Sequence, residues 1–587
     1  MHFVPFRSRS TLHKSPFGAA ASGTEITLRV VLPRHMQCRG VTLCWGGYDG
    51  EWEQAMPFQW EGMEGEHEEW WQCRLLISEP GLYRYRFTYD SAFGGGVIGD
   101  EGQGVGCIGE GSWFRLTAYD PAARLPDWVP GGVLYQIFPD RFCNSGKKKN
   151  ILDKPRGDQI LRTDWGGKPQ WEPDEQGNIT QYDFFGGDLD GIAGKLPYLK
   201  ALGVTCVYLN PIFLARSNHR YDTSDYFKID PLLGDENDFT NLCAVALDMG
   251  IRIILDGVFS HTGDDSVYFN KQHAFPGPGA YESKDSPYYD WFTFENWPED
   301  YACWWGIKIL PELREDHPAV LDFFMGENGA VRHWLRRGAA GWRIDVADEL
   351  PDVFLDKLYE AARLEKDDPY LLGEVWEDAS CKWSHGGRRR FLQGGQLHSV
   401  MNYPLANAIL RFAREAAAEQ LAGVILSQLE HYPPFALAGL MNHIGTHDTP
   451  RALTRLLEDA VPETARRRLM LCAALQYTLP GNPCVYYGDE AGLQGQSDPF
   501  NRACYPWGAE DEDLLDYYRH LGTLRTQYKE DFAGTDFRLL SAAMGCIAYM
   551  RGRIVVVANA NPHAITYALP DGQEIGAAAE SAAILAL

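Results

Sequence analysis

The chain has 587 residues, 45% of them hydrophobic and 13% aromatic, which is too rich in core formers for a disordered protein and too long for one ordinary domain. A formal net charge of -26 speaks against nucleic acid or an anionic membrane surface as partner, since both need a positive patch. Thirteen cysteines, an odd count with no Cys-x-x-Cys pair, point to free thiols in a reducing, cytoplasmic setting; no secretory leader and no apolar stretch of membrane-spanning length is visible.

Residues 1–128 read as short strands separated by turns. The segment 25–33 alternates through Ile26, Leu28 and Val30, and apolar runs follow at 41–45, 71–77 and 81–89. This spacing predicts a β-sandwich. Its tryptophans Trp45, Trp52, Trp60, Trp70 and Trp71 read either as core or as faces on which a sugar ring could stack. Pro121, Pro126 and Pro130-Gly131-Gly132 punctuate the end of the segment.

From residue 133 short apolar runs alternate with helical patterns: 133–138, 204–209, 251–255, 342–344, 370–373, 397–401, 440–444 and 484–487. Between the second and third runs, Phe239, Leu242, Cys243 and Ala246 fall on one helical face, and Gly250 supplies a stop. Eight such alternations within 129–530 predict an α/β fold, a (β/α)8 barrel. An aromatic insertion at 262–315, carrying Tyr288, Tyr289, Trp291, Trp297, Trp304 and Trp305, follows the third strand and should overhang the barrel mouth. Residues 531–587 return to strand-like runs, predicting a small C-terminal β-domain.

In such a barrel the active site forms at the C-terminal ends of the strands. Three acids fall there: Asp345 in Gly-Trp-Arg-Ile-Asp-Val (341–346), Glu374 in Leu-Leu-Gly-Glu-Val-Trp (371–376) and Asp448 in Gly-Thr-His-Asp-Thr-Pro-Arg (445–451). An acid at a buried strand end must find a partner or a substrate, and two carboxylates flanking a bond are what cleavage of a glycosidic linkage uses. Tyr221 and Asp222 follow the second strand, Asp256 and His261 the third, and Arg343 and His447 stand beside two of the acids. Arg343 and Asp345, two residues apart on a strand, share a face. The guanidinium should lower the pKa of Asp345 and hold it ionised, as suits a nucleophile; a structural ion pair is the competing reading. Glu374, between Gly373 and Trp376, has the partly apolar niche a general acid needs, with a cap or salt-bridge glutamate as the alternative. Asp448, beside His447, can bind hydroxyls and stabilise positive charge.

Together with Leu-Asp-Gly-Val-Phe-Ser-His (255–261), Gly-Trp-Arg-Ile-Asp-Val-Ala-Asp-Glu (341–349), Gly-Glu-Val-Trp (373–376) and Thr-His-Asp-Thr (446–449), the chain from 133 to about 530 resembles the α-amylase-type glycoside hydrolases of family 13. Within that family it is similar to the cyclomaltodextrinase, neopullulanase and maltogenic amylase group, on the strength of its N-terminal β-domain, Ser-Asn-His-Arg-Tyr-Asp-Thr-Ser-Asp-Tyr (217–226), Val-Ala-Asp-Glu (346–349) and Leu-Pro-Glu-Leu-Arg (310–314). It departs from the group at Asp348, where the pattern has Asn, and at Glu312, where it has Lys, both on the acceptor side.

The resemblance implies a retaining hydrolase of α-glucosidic bonds in cyclodextrins, short maltooligosaccharides or pullulan, with Asp345 as nucleophile, Glu374 as general acid/base and Asp448 as transition-state stabiliser. Tyr221, Asp222, His261, Arg343, His447 and Trp376 would bind sugar, as would Asp498 and Arg502 in Ser-Asp-Pro-Phe-Asn-Arg (497–502). No cofactor is required for the chemistry. Calcium near the first strand would use Asn144 and Asp188, although Lys147-Lys148-Lys149 stands where acidic residues would be wanted. The resemblance also implies a homodimer acting on an α-glucan oligosaccharide. An α-amylase-like starch hydrolase or a transglycosylase on the same scaffold is the alternative within enzymes. A non-catalytic carbohydrate-binding protein is the alternative outside them, and the retained Asp345, Glu374 and Asp448 speak against it.

Overall fold

Eight short parallel strands form the central sheet: β1 (Leu134–Ile137), β2 (Cys206–Leu209), β3 (Arg252–Gly257), β4 (Gly341–Ile344), β5 (Tyr370–Gly373), β6 (Ser399–Val400), β7 (Met441–Asn442) and β8 (Asn482–Tyr486). They pair in the order β6-β5-β4-β3-β2-β1-β8-β7, and a parallel bridge between Met401 and Met441 joins β6 to β7 and closes the ring. The computed structural model describes residues 3–171, 181–570 and 572–587. Each expected run holds a strand. β6 and β7 are shorter than their apolar runs; at the start of the β6 run the Leu397 N–H bonds the Phe391 carbonyl instead of a neighbouring strand.

Strand alternation divides the side chains into two populations. Outward residues such as Ile137, Val207, Leu255, Trp342, Ile344 and Leu371 join the large core between strands and helices. Inward residues begin apolar at the N-terminal end, where Leu134, Cys206, Ile254, Tyr370, Met401, Met441 and Cys484 form a plug. The same inward rows turn polar toward the other end: Gln136 on β1, Tyr208 on β2, Asp256 on β3 and Arg343 on β4. Asp256 and Arg343 are register partners, so their side chains leave the sheet side by side. The plug fills the bottom of the barrel, and the polar rows form its mouth.

Helices complete the layer outside. The helix Glu236–Asp248 starts at Asp235, which forms a reciprocal capping box with Asp238, and buries Phe239, Leu242, Cys243 and Ala246. The segment between β3 and the helix Pro318–Met325 anchors itself by burying Tyr268, Trp291, Phe292 and Tyr301.

Before the barrel, a four-stranded and a seven-stranded sheet enclose a core that includes Ile26, Leu28, Val30, Leu43, Trp45, Trp71 and Phe87. Trp45 and Trp71 are therefore core, while Trp52 and Trp60 are exposed. The strand Glu25–Pro33 has the bounds expected, but Gln59–Glu64 has no apolar face to announce it, being exposed along nearly its whole length. After the barrel, Arg538–Ala543, Cys546–Arg551, Ile554–Asn559 and Ser581–Ala586 make a four-stranded sheet. The N-terminal sheets are tied to the barrel through Arg115–Asp378 (2.9 Å), Arg9–Glu430 (2.8 Å) and Asp49–Arg388 (3.1 Å). No helix among the described residues is long and apolar enough to cross a membrane.

Candidate active site

Arg343 organises the mouth of the barrel. It is fully buried, and its Nη1 lies 2.8 Å from Asp256 Oδ1 and 2.7 Å from Asp345 Oδ1. Its Nη2 lies 2.8 Å from Glu374 Oε2, off the hydrogen-bonding direction, so that contact is ionic. Asp345 continues the inward row of Arg343, and Glu374 extends β5, whose Gly373 pairs with Ile344. One cation thus gathers three carboxylates from three adjacent strands.

Backbone geometry fixes Glu374 further. Val346 sits in the left-handed region at φ 38°, a conformation costly for a β-branched residue, and its N–H donates to Glu374 Oε2 at 2.9 Å. Oε1 accepts from Trp376 Nε1 (3.0 Å) and from the Tyr403 hydroxyl (3.3 Å), and the two rings stack at 4.1 Å. Gly373 leaves room for its neighbour: a Cβ there would stand 2.3 Å from Leu397 Cδ1, so that side chain would have to move. Trp376 itself remains 47% exposed and presents a free ring edge at the rim.

On the opposite side, the Tyr221 hydroxyl donates to Asp256 Oδ2 (2.8 Å), lies 2.5 Å from His447 Nε2, and its ring stacks on His447. The amide of Gln136 contacts His447 Nδ1 at 2.8 Å. Asp448 stands 3.2 Å from His447 Nε2 and 3.7 Å from Arg502 Nη2. Arg502 also pairs with Asp498 (3.0 Å) and donates to Gln181 Oε1 (3.1 Å), and Gln181 in turn donates to Asp498 (2.9 Å). His261, buried, keeps one ring nitrogen on Ser260 (2.9 Å), while its Nε2 has no protein partner among the described residues.

The charges do not balance, and burial decides the consequence. Asp345 was expected to be held low by Arg343; instead burial, Glu374 and Asp256 push its carboxyl well above the usual range, and Arg343 only opposes them. Asp256 is raised by burial against the same guanidinium. Asp448 is raised to about 7 by burial and by Glu374. Protein surrounds Asp448, yet 31% of its side chain is open to the cleft, and that opening limits how far its charge is desolvated. One guanidinium facing three acids, with Arg502 only 3.7 Å from the fourth, leaves the cluster short of positive charge, and burial favours the protonated forms of Asp345, Asp256 and Asp448. Burial keeps both histidines neutral, with His261 lowered to about 4 and His447 well below its ordinary value.

Most of the expected site residues therefore converge. Asp222 does not join the carboxylates: it accepts from the Ser217 N–H (3.1 Å) and the Ser217 hydroxyl, closing a turn behind Tyr221. Asn144 and Asp188 lie together in the segment that follows the C-terminal end of β1, with Lys149 Nζ between them. Sequence reasoning passed over Gln136, Tyr208, Gln181 and Tyr403. The first two carried a signal, a polar group two residues beyond an inward apolar one on the same strand. It also passed over Glu349, which accepts from both Trp304 Nε1 (2.7 Å) and Trp305 Nε1 (2.8 Å). The two indoles stack, Trp305 is 77% exposed, and Trp304 leans on His261 at 5.5 Å, so the insertion brings an aromatic face to the mouth as expected.

Residues 136–531, which contain every one of these mouth residues, match the alpha-amylase catalytic domain. The chain belongs to the α-amylase family. This α-amylase-family chain is 35% identical over 568 residues to an amylopullulanase of Thermoanaerobacterium saccharolyticum, covering 87% of the chain and 44% of that protein. It thus spans less than half the length of the amylopullulanases it matches. It is 34% identical over 507 residues to a cyclomaltodextrinase of Geobacillus thermopakistaniensis, covering 82% and 77% of the two chains. Among solved structures, the type III pullulan hydrolase from Thermococcus kodakarensis superposes over the full length of both chains, with a TM-score of 0.71 at 27% identity.

Proposed function

We propose that this protein is a retaining hydrolase of α-glucosidic bonds, acting on cyclodextrins, short maltooligosaccharides or pullulan. The observation that carries the reading is the Arg343 clamp, which holds Asp345 and Glu374 on neighbouring nitrogens of one guanidinium. That arrangement suits the roughly 5–5.5 Å carboxyl separation of retaining enzymes, not the wider gap that admits a water in inverting ones. The relatives' names, cyclomaltodextrinase, amylopullulanase and pullulan hydrolase, support the substrate class.

In this mechanism Glu374 acts as the general acid and donates a proton to the glycosidic oxygen as the C–O bond breaks. Asp345 attacks the anomeric carbon from the other face and forms a glycosyl ester. Glu374 then takes a proton from water, which displaces Asp345 and restores the original configuration. Asp448 and the neutral His447 and His261 bind hydroxyls of the reacting sugar, and Asp448 favours the positive charge of the transition state. Arg502 and Asp498 flank that sugar on one side; Trp376 and the Trp304–Trp305 face line the other. No cofactor enters the chemistry.

The first test digests γ-cyclodextrin, pullulan and soluble starch in parallel and reads the first-formed anomer by proton NMR. The expected result is fast attack on cyclodextrin, slow attack on starch and an α product. Starch cleaved fast with cyclodextrin inert would withdraw the substrate class, and a β product would withdraw the mechanism.

The same reading divides the chain at 1–128, 129–530 and 531–587, and places the protein in the cytoplasm as a homodimer. Thirteen unpaired cysteines support the reducing compartment. Trp60 and Met63, exposed on the strand Gln59–Glu64, supply an apolar edge for self-association. Light scattering is expected to return twice the chain mass of 66.1 kDa, and a monomer mass would count against the dimer.

A further inference from the structure

The resemblance calls for a calcium ion beside β1, held by oxygens of Asn144 and Asp188. The residues present do not fit one. Lys149 Nζ lies 2.5 Å from Asp188 Oδ2 and 3.3 Å from Asn144 Oδ1, and the Lys149 side chain is only 7% exposed. The other contacts of these two residues are also spoken for. Asp188 Oδ1 accepts from the Gly191 N–H (2.6 Å), capping the helix Leu189–Gly194, and Oδ2 accepts from the Ser145 hydroxyl (2.6 Å). Asn144 Oδ1 accepts from the Gly146 N–H (2.8 Å). Calcium takes about six to eight oxygens, most of them carboxylate or carbonyl. Among the described residues no group of three His, Cys, Asp or Glu is placed to hold a metal.

We propose that the Lys149 ammonium takes the place of a divalent cation here, so that the mouth of this barrel is held by a charge built into the chain and needs no calcium. A buried carboxylate such as Asp188 must be neutralised by something. An ion does this only while it is bound, at a strength set by its concentration. A lysine tethered five residues from Asn144 does so whenever the chain is folded. Its neighbour Lys147 is not part of the device, since it pairs with Asp190 and Asp238 at the surface.

The position matters beyond the loop. Asp140 accepts from the Phe185 and Gly186 N–H groups (2.9 and 3.1 Å), and so joins the segment before Asp188 to the end of β1. Arg141 pairs with Asp140 (2.8 Å) and donates to the Arg502 carbonyl (2.9 Å). Arg502 is the residue that faces Asp448. The Lys149–Asp188 pair thus underpins the strand end from which the sugar-facing arginine is buttressed.

The test is thermal melting by calorimetry, with calcium titration of the same samples. Wild-type protein is expected to melt within about 1 °C of the same temperature in excess EDTA and in excess calcium chloride, and to take up no calcium. Lys149→Met, which strands Asp188, is expected to melt lower by about 3 °C, regardless of chelator. The double variant Lys149→Met/Asp188→Asn removes both charges and keeps a capping side chain at position 188, so it should recover at least half of that loss. A wild-type melting point that falls in EDTA and returns with calcium would overturn the proposal. So would a Lys149→Met protein that melts like wild type, or a double variant as unstable as the single one.

Discussion

Asp345→Asn is expected to lower kcat/KM by on the order of 10^4-fold or more while leaving the protein at least as stable as wild type. The two halves of this expectation come from the same geometry. An amide cannot form the glycosyl ester, so the double displacement stops at its first step. The amide nonetheless fills the same space and carries no charge, where burial, Glu374 and Asp256 all disfavour a carboxylate. Arg343 keeps Asp256 and Glu374 as partners. Loss of the Asp345 charge therefore relieves more repulsion than it removes attraction, and the melting temperature should hold or rise at pH 8. A purely structural Asp345 would show the reverse: activity preserved, or lost only in step with stability. Chemical rescue separates the roles further. In Asp345→Gly, azide can enter the vacated space and attack the anomeric carbon while Glu374 protonates the departing oxygen, giving a β-glycosyl azide. An Asp345→Asn enzyme with wild-type turnover, or an azide product of α configuration, would remove Asp345 from the nucleophile's place.

The buried arginine and the carboxylates of this site were legible in the sequence because strand periodicity places them, whereas Asp498 and Arg502, beyond the last barrel strand, came only from the resemblance. Arg343 and Asp345 are two apart, and alternation alone puts them on one face. Asp256, Glu374 and Asp448 follow apolar runs, and the barrel converts the end of a run into the mouth. The sandwich and the eight barrel strands were legible for the same reason, and strand Gln59–Glu64 was not, because both of its faces meet water. What periodicity could not supply was the direction of a side chain leaving a loop. Asp222 follows Tyr221 directly, yet it turns back onto Ser217 instead of reaching the carboxylates. Glu349 lies beyond β4 and is recruited by two indoles from an insertion some forty-five residues away in sequence. Charge state was the least legible of all. The spacing of Arg343 and Asp345 suggested a lowered acid, but the outcome depends on how many other carboxylates share that guanidinium and on how little water reaches them, which only the packed structure determines.

That sharing makes Arg343 the position whose loss should spread furthest. Arg343→Met keeps the length and apolar stem of the side chain and deletes the charge that faces Asp256, Asp345 and Glu374 at 2.7–2.8 Å. Breaking a buried ion pair from one side typically costs about 3–5 kcal/mol, and here three acids are stranded together. The cost should depend on pH in a definite direction. The folded-state pKa values of Asp345 and Asp256 are already above their ordinary values, and that of Asp448 is about 7. Without the guanidinium the acids it faces rise further. Groups raised in the folded state favour folding below their unfolded pKa values, and that contribution is lost as pH climbs through the folded ones. The variant should therefore be weakest relative to wild type at pH 8, and the gap should narrow toward pH 5 as the acids take up protons. Arg343→Lys supplies the control, because one ammonium restores a positive charge but cannot span three carboxylates in fixed directions. It should regain much of the stability at pH 8 while kcat/KM stays depressed by on the order of 10^2-fold or more, since Asp345 and Glu374 are no longer held in mutual register. Melting curves of both variants at pH 5 and pH 8, read beside kcat/KM on one maltooligosaccharide, decide the matter. A pH-independent deficit in Arg343→Met would mean the guanidinium does not neutralise the cluster, and full activity in Arg343→Lys would mean that charge alone, without the clamp, suffices to align the two carboxylates.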